Sequence, residues 1–184
     1  MNTITIVLIV IAVAAIVFAA VMYFQRQRTQ RIRGKFGPEY DRLAAERGAR
    51  TAETELVRRE ERVRKYHIRE LTRDERDRFA ASWRETQARF VDDPRLAVSQ
   101  ADELVTRLMN TRGYPMRDFD QRAEDLTVDH PAVVQNYRAA HAIAVRDKQS
   151  AVNTEDLRRA MVHYRSLFED LLGQPVMEHA EVHS

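Results

Sequence analysis

The feature that most constrains this chain is its N-terminal apolar run, Ile4 to Phe24, ITIVLIVIAVAAIVFAAVMYF. Its 21 residues carry no charge and a single hydroxyl, Thr5. As an α-helix the run is about 31 Å long, close to the hydrocarbon thickness of a bilayer. A helix satisfies every backbone N–H and C=O within one segment, which lipid requires. Tyr23 and Phe24 end the run where aromatic side chains favour the lipid–water interface. The sequence therefore predicts a membrane-spanning helix over residues 1–25. A buried core helix is the alternative, but such helices are rarely apolar on every side over this length.

The flanks give the span a direction. Only Met1, Asn2 and Thr3 precede it, whereas Arg26, Arg28, Arg31, Arg33 and Lys35 follow closely. Basic residues beside a span are retained in the cytoplasm, which predicts an outside N-terminus and a cytoplasmic body. The alternative is an exported, anchored body or a cleaved leader, with Ala19–Ala20 as the small residues. Against a leader stand the missing basic n-region and the long apolar core. The same five cations can attract anionic lipid at the surface. Ala15 and Ala19 form a small-xxx-small pair, a weak signal for self-association through the span.

The remainder is rich in charge, with only five Gly and five Pro, a profile of long helices. Residues 25–70 hold 14 Lys/Arg against 8 Asp/Glu, a net of +6, while residues 71–184 hold 16 against 20. The distal body is thus mildly acidic, which argues against nucleic acid as a partner. Without cysteine the chain has no disulfide, thiol chemistry or zinc–thiolate site.

Helix punctuation divides the body. Gly34, Gly37 and Pro38 predict a break after a basic juxtamembrane linker, 26–37. A charged helical arm over 38–70 follows, with a short helix Glu39–Arg47 stopped at Gly48. Its second helix is expected to start at Thr51 and to carry Ala52, Leu56, Val63 and Tyr66 as a narrow seam. Arg59 occupies one position of that seam, and the expectation is a solvated arm or a helix lying loosely on the domain, with one strand of a helix–helix contact as the alternative. A helical bundle is expected over 71–173. Thr72–Arg73–Asp74–Glu75 reads as a capping box, and Asp93 with Pro94 as the next start. Phe79, Trp83 and Phe90 share one helical face. Leu96, Ala97, Ala101, Leu104, Val105 and Leu108 recur at core spacing up to Thr111. A shorter helix is expected over Asp118–Leu126. Asp129–His130–Pro131 predicts a cap for a helix from Pro131 to Asp147. Asn153 or Thr154 opens the last helix, with Leu157, Met161, Tyr164, Phe168 and Leu171 as its stripe. The tail 174–184 is expected to be disordered. The predicted fold is all-α: one N-terminal transmembrane helix followed by a small antiparallel helical bundle.

Chemistry-bearing residues are few. No phosphate loop, nucleophile elbow or Glu-x-x-His ligand pair occurs, so no cofactor, metal or catalytic residue is expected. Asp129, His130, Tyr137, Arg138 and His141, with His163 on the last helix, form a polar group that can line a cleft or tether helices.

Several strings, GKFGPEYDR at 34–42, ARFVDDP at 88–94, TRGYP at 111–115, DHPAVVQNYRAAHAIA at 129–144 and DLRRAMVHYRSLFEDLL at 156–172, carry a resemblance. The chain resembles a family of uncharacterised bacterial membrane-anchored or secreted proteins with one N-terminal span and a helical body. The resemblance implies a bacterial single-pass membrane protein and carries no activity or cofactor with it. The sequence-level expectation is a non-enzymatic interaction or scaffolding module at the cytoplasmic membrane, partnered by the bilayer and by another membrane or cytoplasmic protein. The alternative is a small-ligand-binding protein or enzyme using the Asp129–His141 region.

Overall fold

The computed structural model describes residues 3–149 and 152–173, with the side chains of residues 3–10 outside the description. Eight α-helices and no strand occur among the described residues, which fall into two units, Met1–Leu56 and Val57–Ser184.

In the first unit α1 (Thr3–Phe36) is one helix running through both the apolar run and the basic segment that follows it. From Ile11 to Phe24 its large apolar side chains are exposed, Phe18 at 68% and Phe24 at 66%. Among the described residues no helix is long and apolar enough to cross a membrane. The Ile4–Phe24 run begins among the residues whose side chains lie outside the description. Arg26, Arg28, Arg31, Arg33 and Lys35 are exposed on helix rather than on a linker. The expected break at Gly34 is therefore corrected. A lone glycine costs a helix only about 1 kcal/mol, and the helix continues through it. The chain turns instead at Gly37, whose φ of 48° suits glycine, immediately before Pro38 opens α2 (Pro38–Arg47). Ile32, Phe36, Tyr40 and Leu43 are buried, and Arg33 pairs with Asp41 at 3.1 Å.

The third helix, α3 (Ala49–Val63), begins directly after Gly48, so Thr51 lies inside it rather than capping it. Thr29 donates to Glu53 at 2.6 Å, joining α1 to α3 within the first unit. The expected solvated arm is also corrected: Ala52, Leu56, Arg59 and Val63 all lie below 6% exposure. Arg59 continues the seam.

The second unit is the bundle: α4 (Arg73–Arg89), α5 (Pro94–Arg112), α6 (Phe119–Asp129), α7 (Val134–Gln149) and α8 (Thr154–Leu172). Helix α8 packs against α4, α5 and α7, while α6 leans on α7. Local chemistry opens three of the helices as expected. Thr72 and Glu75 form a reciprocal capping box, Asp93 caps α5, and Asn153 caps α8. The α8 stripe is buried throughout, each large apolar side chain contributing about 1.5–3 kcal/mol. Trp83 stacks on Phe168 with centroids 4.7 Å apart, and Phe79 and Phe90 pack half-buried on the same core. Leu96 departs from expectation at 42% exposure, because the buried face of α5 starts one position later, at Ala97.

Glycine 113 ends α5 with a φ of 97°, and a Cβ there would lie 2.3 Å from the His67 carbonyl oxygen. The segment before α4 thus runs against the end of α5, and Arg69 N–H donates to the Arg112 carbonyl at 2.9 Å. The expected cap at Asp129 is corrected. Helix α6 continues through Asp129, His130 ends it, and α7 starts at Val134 rather than at Pro131. The residue before a proline is pushed out of the helical region, and here that residue is His130. The tail 174–184 lies outside the described residues.

Candidate functional site: polar clusters in the bundle

The polar residues singled out from sequence do not converge on one cleft. The structure distributes them over three clusters. At the end of α6, Asp129 accepts a 2.9 Å hydrogen bond from the Tyr114 hydroxyl. Burial, and then the Asp129 charge, push the Tyr114 phenol far above its ordinary range. His130 bonds Asp170 of α8 through Nδ1, an acceptor that places the proton on that nitrogen. Its Nε2 lies 3.4 Å from Arg112, which donates to the Leu171 carbonyl at 3.0 Å. This cluster ties the ends of α5, α6 and α8 together. The second cluster joins α7 to α8. The Asn136 amide faces His163 Nδ1 at 3.1 Å and donates to Ser166 at 2.9 Å. Arg138 lies half-buried on α7.

The third cluster is a buried group of side chains from α5, α6, α7 and α8, and it includes Tyr137 and His141. Tyr164 donates to Asp102 at 2.9 Å. Tyr137 is fully buried, and burial pushes its phenol up to about 12. Thr106 and Arg122 lie beside the Tyr137 hydroxyl, yet neither meets it with hydrogen-bonding geometry. The His141 ring stacks on Phe119 at 3.6 Å and 8°, and Phe119 also packs on Tyr137 at 4.8 Å. Burial lowers the His141 pKa, with Arg122 and Lys148 adding repulsion and Asp102 opposing. The Tyr137 hydroxyl, Arg122 Nε and His141 Nδ1 are three of the four buried side-chain polar atoms left without a partner among the described residues; the fourth is Trp83 Nε1. A buried group left unpaired costs about 1–3 kcal/mol.

Chemically this cluster brings together a carboxylate, a guanidinium and two phenols that stay protonated near neutral pH. Burial biases the His141 imidazole toward its neutral form. No cluster of three His, Asp or Glu residues able to hold a metal ion occurs among the described residues.

Sequence reasoning missed Asp102 and Arg122, and took Tyr164 only as core. The available signal was Asp102 and Thr106 at i,i+4 on a helix whose preceding positions, Ala101 and Val105, are buried. It also missed a separate ion cluster where α3 meets α6. Arg59 pairs with Glu124 at 3.1 Å, Arg62 donates to Asp125 at 2.8 Å, and Tyr66 donates to the other Asp125 oxygen at 2.9 Å.

With these sites in hand, no protein-family model, curated protein or solved structure matches the chain.

Proposed function

We propose that this is a single-pass, membrane-anchored helical protein of the bacterial cytoplasmic membrane, whose body is a non-catalytic protein-interaction or scaffolding module on the cytoplasmic side. The observation that carries the reading is α1: large apolar side chains from Ile11 to Phe24 stand uncovered, and Arg26, Arg28, Arg31, Arg33 and Lys35 follow on the same helix. An apolar surface of that extent calls for an apolar neighbour, and a basic collar suits a cytoplasmic lipid face. Self-association through Ala15 and Ala19 is a weak addition. Alkaline washing of membranes should leave the chain in the pellet, and a C-terminal reporter should be active only in its cytoplasmic form. Release into the wash would sink the anchor. Activity of an export-dependent reporter would reverse the topology in favour of an exported, anchored body. Cross-linking in native membranes should join the body to specific proteins, and absence of any specific product overturns the interaction module.

A second reading, a small-ligand-binding protein or enzyme, rests on the unpaired atoms of Tyr137, Arg122 and His141. It predicts that Tyr137→Phe with His141→Gln abolishes binding of a small molecule while thermal stability holds. The tethering of His130, Asp129 and His163 to neighbouring helices fits the first reading better.

A further inference from the structure

On the outer side of the bundle, α4 and α5 border an open groove of about 440 Å³, within the size range of ligand sites. Glu75, Arg78 and Phe79 recur on one face of α4, and Leu104 and Arg107 on one face of α5. Leu104 is 1% exposed and Phe79 half-buried, so the groove has an apolar floor. Its only carboxylate is committed. Glu75 accepts from Arg69 at 2.8 and 2.7 Å and from the Thr72 N–H, which hold its pKa at about 2. The Arg78 and Arg107 guanidinium groups, by contrast, have no hydrogen-bond or ion-pair partner among the described residues. Ser82 and Asn110 add uncommitted polar side chains along the same opening. A smaller groove beside Phe90 and Met161 differs on this point. Its arginines, Arg158 and Arg165, are already paired with Glu155 and Glu169.

We infer that the α4–α5 groove binds an acidic segment of a partner protein, its carboxylates on Arg78 and Arg107 and an apolar side chain on Phe79 and Leu104. A guanidinium presents paired donors that match a carboxylate, and two of them across an apolar floor select an acidic residue next to an apolar one. The open side admits a chain rather than enclosing a small molecule. This inference rests on the body being an interaction module.

The test uses the full chain in zwitterionic nanodiscs and three fluorescent peptides, repeats of Glu-Leu, Gln-Leu and Lys-Leu, read by anisotropy. The Glu-Leu peptide should bind at least tenfold more tightly than the other two. Arg78→Gln with Arg107→Gln should cut its affinity about tenfold or more, whereas Arg84→Gln, on the same helix, should leave it unchanged. Rising salt should weaken the wild-type complex. Equal binding of Glu-Leu and Gln-Leu, or an R78Q/R107Q double variant that binds Glu-Leu as well as wild type, overturns the groove. The tail carries Glu178 and Glu181, and tighter Glu-Leu binding by an E178Q/E181Q variant would show the groove filled by the chain itself, overturning a partner as occupant. Cross-links in native membranes that persist unchanged in R78Q/R107Q overturn the groove but leave the module standing; absence of specific cross-links in wild type overturns the module.

Discussion

Two polar networks sit inside the second unit, and they are built to opposite standards. Around Asp125 both carboxylate oxygens are taken, one by Arg62 and the other by Tyr66, while Glu124 divides its oxygens between Arg59 and Arg62. Around Asp102, among the described residues, only Tyr164 closes its bond, and Tyr137, Arg122 and His141 each leave a buried atom unpaired. The first network links elements far apart in sequence and uses its charges fully. The second puts similar residue types in a similar setting without completing them. Satisfied buried charge locks helices together, whereas incomplete polarity carries a standing cost that the apolar core must offset.

The largest expected effect breaks the complete network. Asp125→Ala leaves Arg59 and Arg62 sharing one carboxylate and the Tyr66 hydroxyl without its acceptor, and should destabilise the second unit by about 3 kcal/mol. Denaturant titration would show it, and an unchanged midpoint would mean that solvent replaces the lost partner. Next comes Tyr164→Phe, which removes the hydrogen bond from the Tyr164 hydroxyl to the Asp102 carboxylate. A loss of about 1–2 kcal/mol is expected, against almost none if Asp102 faces water. Tyr137→Phe should have the opposite sign. Deleting a hydroxyl that has no hydrogen-bond partner among the described residues should leave stability unchanged or raise it by up to about 1 kcal/mol. A clear loss would reveal a partner for that hydroxyl and bring the two networks closer in kind.

The smallest effect is a slope with pH. The folded state lowers the His141 pKa below its ordinary 6.5, so the unfolded chain binds the proton more readily. The stability contributed by neutral His141 is present above that value and is lost as pH falls below it. Between about pH 7.5 and 5.5 the wild type should lose more stability than His141→Gln. Asp102 and Asp120 oppose the shift while Arg122 and Lys148 add to it, so parallel curves would mean that the carboxylates win.

What could be read from sequence was local. Thr72 with Glu75, Asp93 before Pro94, and the α8 stripe each declare themselves within a few residues, and the structure keeps them. The all-helical body follows from the same signals. Arg59 could not be read this way, because Glu124 lies on a different helix and nothing near position 59 announces it. A cation in an apolar seam looks like an interruption until its partner is known. Asp129–His130–Pro131 misled for a related reason. It resembles Asp92–Asp93–Pro94, but the residue directly before the proline is the one that can cap, and there it is His130. The buried cluster was half legible: Tyr137 and His141 were picked out by type, while Asp102 and Arg122 lie on other helices that only the fold brings beside them.

The close approach at Gly113 has a consequence for how this chain tolerates change. Its φ already disfavours other residues, as at many helix ends, but the space is closed as well: the His67 carbonyl stands where a Cβ would go. At Gly48 and Gly173 nothing lies within 4 Å, so a side chain there meets only backbone strain. A randomised library selected for folded protein should therefore return asparagine and other small polar residues at 173, a left-handed helix end, alongside glycine, and glycine alone at 113. Of these positions, 113 alone joins the end of one helix to the route by which the chain enters the bundle.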